Sequence, residues 1–567
     1  MAQQGLKQKI TAMNWKQLFA VILAGWFIVN LLQSLFTEVM NDEAYYALYG
    51  KKLAWGYFDH PPMVALTTYL SALLFGGNLS VRFVTILLQV FTIALMWKVL
   101  EEKVPDSKKV VLFFVLTASM IMFASYGFVT APDVPLLFFA TLFLYAYQRF
   151  LQKDSWVNAL LLCISMTGMI YSKYHAFIII GFVVLSNFKL LANFKAWVAV
   201  VFTAVLLIPH IMWQADMDFI TFRYHLVGRN FGFQWDEFLG HFPNQLVMFN
   251  PLTLGALIYV LVKFRPKDLF ERALFFQIIG FQVLFFLMTF KGYVQPHWTV
   301  PTTMAMIVLL YRYSLKDAKL LRFIKRWVAP SILLIFIVRI ILVTDLLPER
   351  LGFHGKEKRA LAIEQVSGEL PVVFTGSFQL PSTFQYFTGN EALLLSGVNS
   401  RQTQFDIWQQ ELKYQGKPVF IHGYVHGRSE EYDVDGYQFH GMVTDNFQSV
   451  NRVRIKYELP VEEVYPGDVI EIPFEIINPC NFDIDFNHPE FPVRFLITFA
   501  KKRKIDFSAG EVSKQFDILA AGAEDKASFC VVVPDLEPGK YQVALTLENK
   551  ICPAKNSDFA SLRIKGR

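Results

Sequence analysis

The sequence predicts a polytopic α-helical membrane protein of about 11–13 spans, followed by a small extracytoplasmic α/β segment and a C-terminal immunoglobulin-like β-sandwich. Three observations carry this. The 567 residues are 54% apolar and 16% aromatic with only 18% charged, too greasy for a soluble chain of this length. Apolar runs of about 17–22 residues recur from residue 17 to residue 344, each long enough to cross a bilayer core of roughly 30 Å. From about residue 345 onward the composition turns mixed, and short strand-like runs replace the long apolar ones. Three domains are expected: 1–345 in the membrane, 346–438 as the α/β segment and 439–567 as the sandwich.

In chain order, spans are expected near 17–37, 81–99, 110–125, 134–150, 156–172, 176–190, 196–213, 246–262, 273–290, 299–313 and 328–344. The run 62–76 is short and reads as a re-entrant or surface helix. No small-residue cleavage site follows the N-terminal lysines, so the first run reads as a retained span. The net charge of +6 is small for this size, and its basic residues cluster in alternate loops, which speaks for membrane topology and against nucleic acid as a partner. Lys7, Lys9, Lys103, Lys108, Lys109, Lys267, Lys316 and Lys319 belong to the richer set, which the positive-inside rule places in the cytoplasm. The expected setting is thus the cell inner (cytoplasmic) membrane, crossed many times, with the tail outside. Three tail cysteines, Cys480, Cys530 and Cys552, allow at most one internal disulfide, whose pairing stays open.

That orientation sorts the chemistry. All six histidines of the membrane region (His60, His175, His210, His225, His241 and His297) fall at outer span ends or in outer loops. So do Asp42, Glu43, Asp59 and Asp133. The stretch 41–63, NDEAYYALYGKKLAWGYFDHPPM, concentrates acids, a histidine and aromatics as the floor of a site at the membrane surface would. A carboxylate at Asp42-Glu43 could accept a proton from an acceptor hydroxyl or hold a divalent cation, with helix capping as the plain rival. Asp133 is a lone acid between apolar runs, where ionisable groups are costly and tend to serve function. In the long outer loop 216–241, Arg223, His225 and Arg229 suit an anionic phosphate, or else snorkel from an interfacial helix. Lys173 and Lys291 are isolated outer cations that suit a lipid-linked phosphate or a headgroup anchor. No HExxH, P-loop or dinucleotide loop occurs, so chemistry on soluble nucleotides is unsupported.

The motifs Asp42-Glu43, Phe58-Asp59-His60-Pro61, Pro132-Asp133 and the late Lys291 through Pro296 to Trp298 resemble, in order and sidedness, the membrane glycosyltransferases of the GT-C architecture. The resemblance is nearest to the branch of the aminoarabinose transferases that modify lipid A and, more distantly, to the dolichyl-phosphate-mannose protein mannosyltransferases. The resemblance covers about residues 15–345. It implies a GT-C-like fold and a sugar moved from a polyprenyl-phosphate donor to an envelope acceptor on the outer face. That acceptor would be a lipopolysaccharide-type glycolipid, a polysaccharide or, as in protein glycosylation, a protein. By the same resemblance Asp42, with Glu43 and Asp133, is catalytic. Lys291, Arg229, Lys173 and His60 face the donor phosphate, and Tyr57, His297 and Trp298 line the substrate cavity. Asp59 and His225 correspond to positions that bind a divalent metal. One departure is His60, where the family often has Lys; a neutral imidazole cannot neutralise a phosphate, so Arg229, Lys173 or Lys291 takes over that charge. In the tail, Arg401-Gln402 and the run 405–408 resemble the outer domain of some members. A transporter or flippase of a lipid-linked saccharide is the rival, but it should carry charges at mid-span or on both faces. A noncatalytic envelope scaffold is a third reading.

Overall fold

The computed structural model describes residues 13–225, 232–344, 346–347, 352–425, 427–501 and 504–566. Arg229 and the N-terminal Lys7 and Lys9 lie outside the described residues. The chain divides into two compact units, Met1–His354 and Gly355–Arg567.

The first unit is helical and polytopic. It opens with α1 (Trp15–Phe36), α2 (Asn41–Lys51), α3 (Met63–Leu74), α4 (Leu79–Val99), α5 (Ser107–Ser119), α6 (Ile121–Ser125), α7 (Asp133–Gln152), α8 (Trp156–Ser172) and α9 (Ala176–Ser186). It continues with α10 (Phe194–Leu206), α11 (Ile208–Asp216), α12 (Ile220–Arg223), α13 (Trp235–Phe249), α14 (Pro251–Lys263), α15 (Leu269–Met288), α16 (Thr303–Ser314) and α17 (Ala318–Val343). Among the described residues, five helices are long and apolar enough to cross a membrane, or up to seven if each bent pair is one span. The other expected spans correspond to shorter or interrupted helices, among them Trp156–Ser172 and Ala176–Ser186.

The interruptions have local causes. Between α10 and α11 the axis bends by 43° next to Pro209, which lacks an N–H and crowds the turn before it. The span expected at 246–262 is not one rod, because α13 and α14 meet at 101° across Asn250, whose φ is +66°. Asn250 sits before Pro251, which disfavours the helical region there, and its side chain caps α14 through the Leu252 N–H. The span expected at 110–125 likewise breaks at Met120. Residues 41–51, read from sequence as part of a loop, form the helix α2. The core of the unit lies between α4, α5, α7, α8, α9, α15 and α16, with Phe113, Tyr147, Phe281 and Tyr311 fully enclosed.

In the second unit, helices α18 (Lys356–Ser367) and α19 (Gln379–Thr388) accompany a five-stranded sheet in the order β2-β1-β3-β5-β4. Its strands are β1 (Val372–Thr375), β2 (Ala392–Leu395), β3 (Val419–His422), β4 (Glu430–Val434) and β5 (Tyr437–Thr444). The first three pair in parallel and the last two antiparallel. The boundary expected after residue 438 therefore falls inside β5, whose ladder with β3 runs on to Thr444. The remaining described strands form two larger antiparallel-rich sheets and a short two-stranded one, Ile484–Asp485 with Ile518–Leu519. Of the larger two, one is built around Arg494–Lys501 and Gly539–Glu548, the other around Val469–Ile477 and Glu524–Val532. Strand 469–477 alternates exposed and buried residues, so Ile470, Ile472, Phe474 and Ile476 all face the core that Phe499, Val543 and Leu545 fill from the other side. All four cysteines are free, so the single bridge that the tail allowed is not formed.

Candidate active site

Helix geometry divides the stretch 41–63 into two roles. On α2, Asp42, Tyr46 and Tyr49 recur at spacings of four and three, which places them on one stripe. Glu43 is turned about 100° away and enters the core. Both its oxygens are taken: Oε1 accepts from Arg82 Nε and the Thr130 N–H, each at 2.8 Å, and Oε2 from Arg82 Nη2 at 2.5 Å and the Met40 N–H at 3.0 Å. Arg82 spends its remaining N–H groups on the carbonyls of Ser34, Thr37 and Glu38, where α1 ends. Its five donors are thus all satisfied. The pair is wholly buried and clamps α1, α2 and α4 together. The catalytic role expected of Glu43 does not fit this geometry, since no lone pair is left for substrate. Arg82 was missed in the sequence, although a lone arginine in an apolar span calls for a buried partner.

The Asp42 stripe leads to the other motif. Tyr46 Oη meets His60 Nε2 at 3.3 Å, and Tyr49 donates to Asp59 Oδ1 at 2.8 Å. Tyr57 stacks flat on Tyr49 with ring centroids 4.0 Å apart. It was expected to line the substrate cavity, but it is fully buried and its hydroxyl is spent on backbone, at the Tyr49 and Lys52 carbonyls and the Ala54 N–H. It is a pillar under the loop. The loop is tied down further by Trp55, whose carbonyl accepts from His210 Nδ1 at 2.6 Å. A carbonyl can only accept, so that nitrogen carries the proton and Nε2 accepts from the Tyr174 hydroxyl at 3.0 Å. Gly56 lies against Trp213, where a Cβ would stand 2.3 Å from the ring.

Asp133 and Lys173 meet because α7 begins where its antiparallel neighbour α8 ends. Lys173 Nζ donates to both carboxylate oxygens, at 2.9 and 2.8 Å, and both side chains are buried. Two of its three N–H groups are used, leaving one for a ligand. Around this pair the structure gathers much of what the sequence singled out. Asp59, Lys173, His225 and Asp133 all act electrostatically on His60, and His297 acts on Asp133. Desolvation in this half-buried setting lowers the His60 imidazole from its ordinary value to about 4, with the Asp59 carboxylate only partly opposing it. His60 is therefore neutral at pH 7. His175, not among the expected site residues, joins the same group, stacked on Phe285 and edge-on to Trp298.

Other expected residues lie differently. Trp298 is buried and donates to Gln295, so it backs the site. Lys291 is exposed, and no described contact joins it to the cluster. His241 packs against Phe242 and Phe286. The pair expected to hold a divalent metal is poorly arranged for one. His225 Nε2 faces the backbone carbonyl of Asp59 at 3.3 Å, and Asp59 Oδ1 is held by Tyr49. Among the described residues no group of three or more His, Cys, Asp or Glu side chains converges as metal ligands. The described cluster thus presents two carboxylates, Asp59 and Asp133, against one ammonium, with His60 neutral.

The comparisons agree with this architecture. Residues 59–213, which hold Asp59, His60, Asp133, Lys173 and His210, match the sequence profile of the dolichyl-phosphate-mannose-protein mannosyltransferase family. No curated protein matches the chain by sequence. Among solved structures, ArnT from Cupriavidus metallidurans bound to undecaprenyl phosphate is similar with a TM-score of 0.57 at 13% identity, over 75% of this chain and 98% of that one. Its apo state is similar with a TM-score of 0.53 at 14% identity, over 78% and 98%. The class is that of the polytopic membrane proteins with a GT-C glycosyltransferase fold. Within it, the resemblance read from the motifs, to the aminoarabinose and protein mannosyltransferase branches, is borne out in fold and in the matched segment.

Proposed function

We propose that this chain is a membrane glycosyltransferase that moves a sugar from a polyprenyl-phosphate carrier to an envelope acceptor at the outer face of the inner membrane. The observation that carries the reading is the Lys173–Asp133 pair beside Asp59 and His60, inside the segment that matches the mannosyltransferase family. A sugar phosphate is activated by its leaving group, so the site must neutralise departing phosphate and hold the acceptor in line. Lys173 offers its remaining N–H to a phosphate oxygen, held in place by Asp133. One ammonium against two carboxylates does not neutralise a phosphate, so a second cation is needed. Arg229 is the residue we assign to it, in place of the lysine that relatives carry at position 60. Asp42, exposed at the head of the Tyr46–Tyr49 stripe, takes the proton of an acceptor hydroxyl.

The test is Asp42→Asn in the full-length protein, with mass spectrometry of envelope lipids and glycans from cells that carry it. The variant should keep wild-type expression while the added sugar is lost. Arg229→Gln should lower transfer and raise the KM for donor. Unchanged glycans in both variants would overturn the enzyme, and unchanged glycans with impaired lipid translocation would turn the assignment to a flippase.

A further inference from the structure

A cavity of about 630 Å³ opens where α14 ends, α15 begins, α16 ends and α17 begins. It is not part of the site above. Helix α15 starts beside this cavity and ends past Phe285, which packs on His175 of the candidate site. Its 20 residues rise by about 30 Å, so the two lie at opposite ends of a bilayer-crossing helix.

The lining is basic, and the two acids in it are committed. Glu271 pairs with Arg312 at 3.5 Å and accepts from the Lys267 backbone N–H. Asp317 caps α17 through the N–H groups of Lys319 and Leu320, and its other oxygen accepts from Tyr259. Lys263 is spent on Tyr259, over whose ring it also sits at 4.0 Å. Lys267, Lys316 and Lys319 are exposed, and among the described residues they make no ion pair. Lys316 is pushed below the ordinary lysine value by partial burial and by the nearby Lys267 ammonium. Crowded like charges store unfavourable energy that a bound anion would release. Beneath them the floor is closed by Leu309 and Phe264, both buried in the core, with the half-buried Tyr313 ring beside Phe264. A basic rim at the end of bilayer-crossing helices lies at the depth of lipid headgroups and suits the phosphate of an anionic lipid.

We propose that this cavity binds the phosphate of an anionic membrane phospholipid, at the face of the membrane opposite the sugar-transfer site. Its recognition is electrostatic, through Lys267, Lys316 and Lys319.

The experiment uses the full chain in nanodiscs of phosphatidylcholine with or without phosphatidylglycerol. Retained lipid is read by native mass spectrometry and stability by the melting temperature. Phosphatidylglycerol should be retained and should raise the melting temperature. Neutralising the three lysines (K267Q, K316Q and K319Q together) should cut retention by about fivefold for each lysine removed. The matching triple arginine variant should keep it, which separates loss of charge from loss of fold. Equal retention of both lipids, or a glutamine variant that binds like wild type, overturns the proposal. Protection by millimolar inorganic phosphate alone, with no preference between lipids, overturns the lipid and leaves a free-phosphate site.

Discussion

Two neighbouring carboxylates, Asp42 and Glu43, do different work because a helix turns about 100° between them. Glu43 is enclosed with Arg82, and removing one partner of such a pair leaves a buried charge uncompensated. Glu43→Gln and Arg82→Met should each destabilise the protein by about 3–5 kcal/mol, read as a fall in melting temperature. Asp133 and Lys173 form a second buried pair, so Lys173→Gln carries a folding cost of similar size, and the Lys173→Gln/Asp133→Asn double should cost less than the two singles summed. A strictly additive cycle would show that the two side chains act independently. His60 gives the pH dependence. Its folded value, about 4, lies below the ordinary imidazole value of 6.5, so the unfolded chain binds the proton first as pH falls. The contribution of His60 is then fully present above pH 6.5 and is lost between 6.5 and about 4. His60→Gln should flatten that part of the stability profile, and an unchanged slope would place the acid sensitivity elsewhere.

At the scale of elements, the site rests on close approaches that leave no room for a methyl group. Where α2 crosses α3, a Cβ on Gly50 would stand 2.5 Å from Thr68 Oγ1 and 2.9 Å from the Tyr69 backbone nitrogen. Backbone cannot step aside as a flexible side chain can, so Gly50→Ala should cost about 1–3 kcal/mol and loosen the stripe that holds His60 and Asp59. A combined fall in melting temperature and in sugar transfer checks this. The breaks at Met120, Pro209 and Asn250 follow a related logic. Each interrupts an apolar run that hydropathy reads as continuous, because hydropathy averages over a window and a single backbone dihedral does not register in it. Proline at 209 and the Asn250-Pro251 pair were visible signals; Met120 carries none.

For the molecule as a whole, the division at residue 354/355 leaves the second unit with its own cores, one in the α/β sheet and one in the sandwich. Expressed alone, Gly355–Arg567 should melt as a cooperative folded protein in calorimetry. Its three thiols and Cys163 are free, and burial pushes the Cys552 thiol up to about 12. A reductant should leave the melting temperature unchanged, and thiol counting on the denatured chain should find four. The two polar ends of the membrane unit also differ in kind. One gathers histidines and carboxylates around a single lysine, and the other crowds lysines with its acids already engaged. A site for chemistry and a site for anchoring an anion have those contrasting compositions.

Much of this was legible in residues alone. Hydropathy and length determined a helical membrane unit with a strand-rich tail, because burying backbone in lipid demands helices and alternating residues demand sheets. Short polar motifs pointed to Asp59, His60, Asp133 and Lys173. Their order along the chain said nothing of which would touch. Only the tertiary structure decided that Lys173 pairs with Asp133, that Glu43 serves Arg82 and that Tyr57 is a pillar. Such roles depend on which lone pairs and N–H groups remain open once the chain has packed, with Glu43 and Arg82 lying 39 residues apart and Asp133 and Lys173 lying 40, and that count exists only in three dimensions.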